Sequence, residues 1–174
     1  MEIKKVAVIG GGAAGFFAAI SVKENHPSYQ VILFEKTSKV LSKVRVSGGG
    51  RCNVTHDCSD IPTLCEAYPR GGKKLKSLFY QFSKSDTVDW FESSGIPLKT
   101  EKDGRMFPKS NNSQSIIDCL ESEIDRLKVD LKMGQAIESI EEEGIGWKLS
   151  FKDNPCQKFD ISIIATGGSP KITG

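Results

Sequence analysis

The sequence predicts an α/β fold: a parallel sheet covered by helices, with an antiparallel meander set into it. Three observations predict it. Two short runs, Val6–Ile9 and Val31–Phe34, are apolar at every position, as strands buried on both faces are, and a helix-length segment separates them. Glycines spaced Gly10-x-Gly12-x-x-Gly15 stand where the first run meets that segment. Further on, residues 135–142 and 147–152 alternate like half-buried antiparallel strands, with Gly144-Ile145-Gly146 turning between them.

The first unit reads as strand (residues 3–9), helix (13–24) and strand (31–35). His26-Pro27-Ser28 ends the helix, because proline cannot continue it. A βαβ unit of this kind is right-handed with parallel strands. The glycine spacing between strand and helix is the dinucleotide-binding fingerprint of Rossmann-like domains. Gly10 allows the tight turn, Gly12 lets a pyrophosphate approach the backbone, and Gly15 lets the helix pack close on the sheet. The unpaired N–H groups and dipole of the first helical turn favour phosphate. Glu35 lies 20 residues beyond Gly15, where a carboxylate accepts from a ribose 2′-OH and repels a 2′-phosphate. FAD or NAD is therefore expected there over NADP.

Residues 36–53 contain the run Ser47-Gly48-Gly49-Gly50-Arg51-Cys52-Asn53. Three consecutive glycines are entropically costly, so they are expected where a backbone approaches a flat or charged ligand, with Arg51 as the charge and Asn53 as an orienting amide, both facing the cofactor cleft. A flexible linker is the plainer reading. Short helices are expected over 60–68 and 74–82, the basic Arg70–Lys76 stretch being a solvated face. A further helix is expected to be capped at Ser85-Asp86-Thr87, to carry Val88, Trp90 and Phe91, and to end near Gly95. Pro97–Pro108 reads as a hairpin turning at Asp103-Gly104. Asn112-Ser113 caps an amphipathic helix bearing Ile116, Ile117, Leu120, Ile124 and Leu127, with Cys119 beside that stripe as a small apolar residue. Residues 129–132 are expected to form a third parallel strand, and 159–165 one further buried strand running into Thr166-Gly167-Gly168.

The chain has 174 residues, enough for one domain with a real core, or one domain and a small appendage, and 26% charged residues, as soluble globular proteins have. A net charge of +2 predicts no strong attraction to nucleic acid or anionic lipid. No run is long enough to cross a membrane, and no leader pattern precedes the first strand, so a cytoplasmic location is expected. Five cysteines, Cys52, Cys58, Cys65, Cys119 and Cys156, fit a reducing compartment. Neither their spacing nor the two histidines, His26 and His56, suggests a metal site.

Several runs are familiar together: Gly10–Gly15, Phe34-Glu35-Lys36, Ser47–Thr55, Gly104-Arg105-Met106-Phe107-Pro108 and Ala165-Thr166-Gly167-Gly168. On these the chain resembles the HI0933-like (aminoacetone oxidase and BaiN-type) flavoproteins of the glutathione-reductase-like superfamily. The resemblance implies a redox flavoprotein with FAD held by the first βαβ unit, NAD(P)H as a candidate electron donor and an unknown small-molecule substrate. It implies cofactor contacts at Gly10, Gly12, Ala13, Ala14, Gly15, Glu35, Lys36 and Lys43. The tri-glycine run adds Ser47, Gly49, Gly50, Arg51, Cys52 and Asn53. The segment entering the meander adds Ala136, and the last loop adds Thr166 and Gly167. Two departures stand out: His56 replaces the more usual asparagine, and the residues after Gly168 differ from the family run. Family chains continue for about another domain's length. Residues 1–174 are therefore expected to be the N-terminal part of the FAD/NAD(P)-binding domain, without the substrate domain and the final FAD-binding segment, and inactive by themselves. Surface left uncovered in such a portion favours a homo-oligomer.

Two other functions fit the sequence. One is a nucleotide-binding module without redox chemistry. The other is a thiol–disulfide flavin reductase using Cys52 and Cys58. Those cysteines have five residues between them. On a helix that separation is about 600°, which puts them on nearly opposite sides. No side chain stands out as an acid, base or nucleophile, so the catalytic residues stay unassigned.

Overall fold

The computed structural model describes residues 3–58, 60–68 and 70–168. The departure noted after Gly168 lies outside them. In chain order the elements are β1 (Lys5–Ile9), α1 (Ala13–Asn25), β2 (Gln30–Phe34), α2 (Ser42–Gly50), β3 (Thr55–His56), α3 (Ile61–Glu66), α4 (Gly72–Phe79) and α5 (Lys84–Ser93). Then come β4 (Leu98–Thr100), β5 (Arg105–Pro108), α6 (Ser113–Arg126), β6 (Asp130–Lys132), β7 (Ile137–Glu143), β8 (Gly146–Phe151), β9 (Gln157–Phe159) and β10 (Ile161–Ile164). They divide into two compact units, Met1–Val44 with Leu120–Gly174, and Arg45–Cys119.

The first unit holds a parallel sheet in the order β10-β1-β2-β6, with Ile9 opposite both Phe34 and Ile164. Counting parallel strands along the chain, this is the order 3-2-1-4 of a doubly wound sheet, which reverses direction between β1 and β10. Successive residues of a strand face opposite sides. Ala7, Ile9, Ile32 and Phe34 pack with Leu149, Phe151 and Phe159 of the meander β7-β8-β9. Phe34 meets Phe151 at 5.1 Å and stands edge-on to Phe159 at 5.8 Å, distances at which aromatic pairs attract. On the opposite face, Leu33 lies under Gly15 of α1, whose Phe16, Ala19 and Ile20 are also buried. The α/β class, the third parallel strand and the meander are as the sequence predicts.

One strand differs. The expected single strand over 159–165 is two: Phe159 closes the meander as the end of β9, and the parallel strand β10 starts at Ile161. Asp160 makes the break. Its carboxylate accepts from the Lys5 N–H at 2.6 Å, and its own N–H donates to the Lys5 carbonyl at 2.9 Å. Nor is β10 fully buried: it lies at the edge of the sheet, and Ile164 is 66% exposed.

The second unit is built on a small antiparallel sheet, β3-β5-β4, with Met106 opposite both Thr55 and Thr100. The hairpin turns where the sequence places it, at Gly104, whose φ of +81° suits glycine. A Cβ there would also strike the His56 ring at 2.4 Å. The cap of α5 is Ser83, not Ser85: Ser83 and Asp86 form a reciprocal capping box. Asp86 is the carboxylate of the expected cap, and the hydroxyl that it pairs with stands two residues before Ser85. Asn112 caps α6 as expected, accepting from the Gln114 N–H at 2.9 Å. Ser113, nearly fully buried, donates to the Arg45 carbonyl at 2.9 Å.

Candidate functional site

In the first unit, the carboxyl ends of the parallel strands gather most of the expected site. Gly10 leaves β1 at φ +116°, where only glycine is comfortable, and a Cβ would lie 2.5 Å from the Ala165 carbonyl oxygen. Gly15 is buried, and a Cβ there would lie 1.9 Å from the Gly10 carbonyl oxygen. Gly12 is the contrast: it is exposed, and a Cβ would meet nothing within 4 Å. Gly12 is also the N-cap of α1, and no side chain caps that helix. Ala13 and Ala14 follow, both exposed. The first-turn N–H groups of a 13-residue helix therefore carry no side-chain acceptor at a bare glycine surface.

Glu35 faces this turn. Its carboxylate accepts from the Gly11 N–H and the Thr37 N–H, each at 2.9 Å. Each oxygen keeps lone-pair capacity for a further donor such as a ribose hydroxyl. Burial pushes this carboxyl up, but the Thr37 and Gly11 backbone bonds and neighbouring Lys36 outweigh it, and the net pKa is below the ordinary glutamate value. A carboxylate with a depressed folded pKa stabilises fully above its unfolded pKa and loses that contribution as pH falls through the folded one. Glu35→Gln is therefore expected to cost about 1 kcal/mol at pH 7, the group being largely solvated. The difference in melting temperature between parent and variant should close as pH drops below the glutamate range. A difference independent of pH would show that the charge is irrelevant to the bond.

The remaining strand ends join the same region. The Gln135 N–H donates to the Glu35 carbonyl at 2.9 Å, and the Lys152 N–H to the Ala136 carbonyl at 3.0 Å, which fixes the entry to the meander beside β2. Lys43 donates to the Gly168 carbonyl at 2.6 Å, tying the start of α2 to the exposed Thr166-Gly167 loop. Lys36 is exposed beside Glu35. Gly11 was missed by the spacing pattern. A Cβ on it would lie 2.8 Å from Val40 and 2.9 Å from Glu35, so the middle glycine is needed for the Glu35 bond, and the run of three glycines was the available signal.

In the second unit the tri-glycine run is a left-handed turn ending α2. Gly48, Gly49 and Gly50 have φ of +56°, +69° and +85°. Ser47 accepts from the Cys52 N–H at 3.0 Å across the turn. Added Cβ atoms on Gly49 and Gly50 would have no neighbour closer than 4.0 Å, whereas one on Gly48 would lie 2.8 Å from Phe107. Arg51 is paired with Glu101 at 2.5 Å and stacked 4.0 Å above the Phe107 ring centroid. With its amide set so that the nitrogen faces them, the orientation that satisfies both groups, Asn53 donates to the Thr55 and Met106 carbonyls at 2.8 and 3.1 Å. The two most specific runs of the sequence thus pack on each other. Glu101 and Phe107 belong to this arrangement and were not among the expected site residues.

None of the five cysteines is in a disulfide. Cys52 is buried, and burial pushes its thiol pKa up against a hydrogen bond from Ser47, so it holds its proton at neutral pH. Among the described residues no group of histidine, cysteine and carboxylate side chains could hold a metal ion, and no helix is long and apolar enough to cross a membrane.

A family model described as the HI0933-like protein Rossmann domain matches residues 4–173. The chain belongs to that family. It is a family of FAD-binding oxidoreductases. Among curated relatives, a 3-dehydro-bile acid delta(4,6)-reductase of Clostridium scindens is 28% identical, over 95% of this chain and 39% of that protein. A ribosomal RNA dihydrouridine synthase of Escherichia coli is also 28% identical, over 97% of this chain and 40% of its own length. The chain thus spans about two fifths of the length of these two relatives. Among solved structures, the open conformation of a flavocytochrome c3 fumarate reductase superposes with a TM-score of 0.67 at 22% identity, covering 96% of this chain and 34% of that one. At that identity the likeness carries the fold alone. The parallel sheet in the order 3-2-1-4 is the doubly wound kind that a Rossmann domain has.

Proposed function

We propose that this chain is the N-terminal FAD-binding portion of an FAD-dependent oxidoreductase. The observation that carries the reading is the uncapped N-terminus of α1 beside open space at Gly12, at the carboxyl ends of β1 and β10, where the sheet reverses. That cradle fits a pyrophosphate, and the free lone pairs of Glu35 fit a ribose. In this reading Gly10, Gly12, Ala13, Ala14, Gly15, Glu35 and Lys36 serve the ADP half, with Ala136 near the adenine and Lys43, Thr166 and Gly167 closing the loop. The Ser47–Asn53 turn serves the flavin.

Bound FAD would supply the two-electron chemistry; the chain's own groups bind and orient it. The Gly11 and Thr37 N–H groups hold the Glu35 carboxylate ionised for the ribose hydroxyls. The exposed backbone at Gly12, Ala13 and Ala14 offers N–H groups to phosphate. NAD(P)H as electron donor, a small-molecule substrate, a cytoplasmic location and self-association belong to the same proposal. The substrates differ among the named relatives, so none is assigned.

The test is titration of the chain with FAD, followed by quenching of flavin fluorescence. Glu35→Ala is expected to weaken binding about tenfold or more, through lost ribose bonds and a loosened Gly11 turn. Affinity equal to the parent's would remove Glu35 from the site.

A further inference from the structure

Arg51 carries the only formal charge of the Ser47–Asn53 turn, and its side chain is committed inside its own unit. Nη1 meets Glu101 at 2.5 Å, the guanidinium lies over Phe107 at 4.0 Å, and Nε points to the Gly48 carbonyl at 3.4 Å. Phe107 is fully buried on the central strand β5, so the platform under the guanidinium is fixed. A Cβ on Gly48 would lie 2.8 Å from the same ring, so only glycine fits where the turn passes it.

Three successive residues at positive φ are a costly shape, and glycine pays for it in backbone entropy. Such a turn persists only where its surroundings hold it. The holding groups are the Cys52 N–H bonded to the Ser47 carbonyl across the turn, and Arg51 and Asn53 just after it, the latter, with its amide nitrogen facing them, bound to the Thr55 and Met106 carbonyls. What the turn leaves open is the backbone of Gly49 and Gly50. With Glu101 against it, the guanidinium offers a ligand little net charge. A planar guanidinium is suited to stacking on a ring while pairing edge-on with a carboxylate; an ammonium is not.

We propose that Arg51 is a positioning residue: paired with Glu101 over Phe107, it holds the Gly48–Gly50 turn in the shape that receives the flavin and does not itself touch the flavin. The inference rests on the flavoprotein reading above and refines which groups of the turn meet the cofactor.

The experiment uses the chain with and without added FAD, in the parent, Arg51→Gln, Arg51→Lys, Glu101→Gln and the double Arg51→Gln/Glu101→Gln variant. Three quantities are measured: the amide resonances of Gly48, Gly49 and Gly50 without FAD, the FAD dissociation constant, and the visible spectrum of the flavin at saturation. Each single variant is expected to move the three glycine amides, weaken FAD about tenfold and alter the flavin spectrum in the same sense. The double variant should be no weaker than the worse single, because the two residues act as one unit. Arg51→Lys should behave like Arg51→Gln. If Arg51→Gln weakens FAD while Glu101→Gln leaves amides, affinity and spectrum at parent values, Arg51 touches the flavin directly and the proposal is overturned. It is equally overturned if the variants lower only the melting temperature, since the pair then merely stabilises the fold. A parent chain that takes up no FAD overturns the proposed function and this inference with it, whereas FAD uptake with additive losses overturns this inference alone.

Discussion

Gly12→Val is expected to fold and melt close to the parent while binding FAD at least about a hundredfold more weakly, a loss of roughly 3 kcal/mol. The two halves of that expectation have separate causes. Gly12 has φ −91° and ψ −179°, an extended conformation that a β-branched residue adopts without strain. The added side chain enters open space, since a Cβ there meets nothing within 4 Å. Valine is a poorer N-cap than glycine, but Gly12 supplies no side-chain cap to lose, so the cost stays within about 1 kcal/mol. At this chain length that is about 2–4 °C. The open space, however, is where a phosphate must stand to reach the N–H groups of the first turn of α1. An isopropyl group fills it, and the lost bonds have no replacement. Thermal melting and FAD titration of the same preparation separate the two effects. A variant that melts with the parent and still binds FAD would sink the assignment of this turn.

Local patterns were legible in the sequence; long-range partnerships were not. The glycines at 10, 12 and 15 announce themselves because strand, turn and helix are contiguous, and Glu35 follows from a fixed spacing. The first two strands of the meander were legible because alternation has a period of its own; β9 was not. Asp160 was harder: one charge inside Phe159–Ile164 separates two strands of different sheets, and an apolar run does not say which side of the charge belongs to which. The helix α2 was hidden by Val44 and Val46, whose branched side chains weaken the helical signal, and by the glycines that follow. Most of the second unit's site was out of reach for a different reason. Arg51 and Glu101 are 50 residues apart, and Phe107 lies further still along the chain. Each run could be recognised by itself, but that Gly48 and Arg51 close on the ring of Phe107 is a fact of tertiary packing. Sequence chemistry assigned Arg51 to a ligand because a lone cation among glycines has no visible partner.

Gly15→Ala tests the same turn from its packed side, and its expected result is the reverse of the first: the fold fails before the ligand matters. A Cβ on Gly15 would lie 1.9 Å from the Gly10 carbonyl oxygen and 3.3 Å from Leu33 Cδ1. The leucine methyl can give by a few tenths of an ångström; the carbonyl cannot. Gly10 is anchored through its N–H to the Phe34 carbonyl at 2.8 Å, and its Cα packs against the Ala165 backbone. Relief therefore requires α1 to lift from the sheet, which would unseat the fully buried Phe16 and Ala19 that pack from the same helix. Alanine in a helix interior gains about 1 kcal/mol over glycine, and that gain sets the scale of the opposing term. Overpacking with a backbone shift costs about 1–3 kcal/mol, and more where a carbonyl is the obstacle, so the net expectation is a loss of at least about 2 kcal/mol. The melting temperature should fall by about 4–8 °C or more. FAD binding should weaken in parallel, because α1 carries the first-turn N–H groups with it. Saturating FAD should restore part of the lost melting temperature, since a ligand that binds only the folded state stabilises it by mass action. A Gly15→Ala chain that melts with the parent would show that the helix has room, and that the third glycine of the spacing is there for the ligand and not for the sheet.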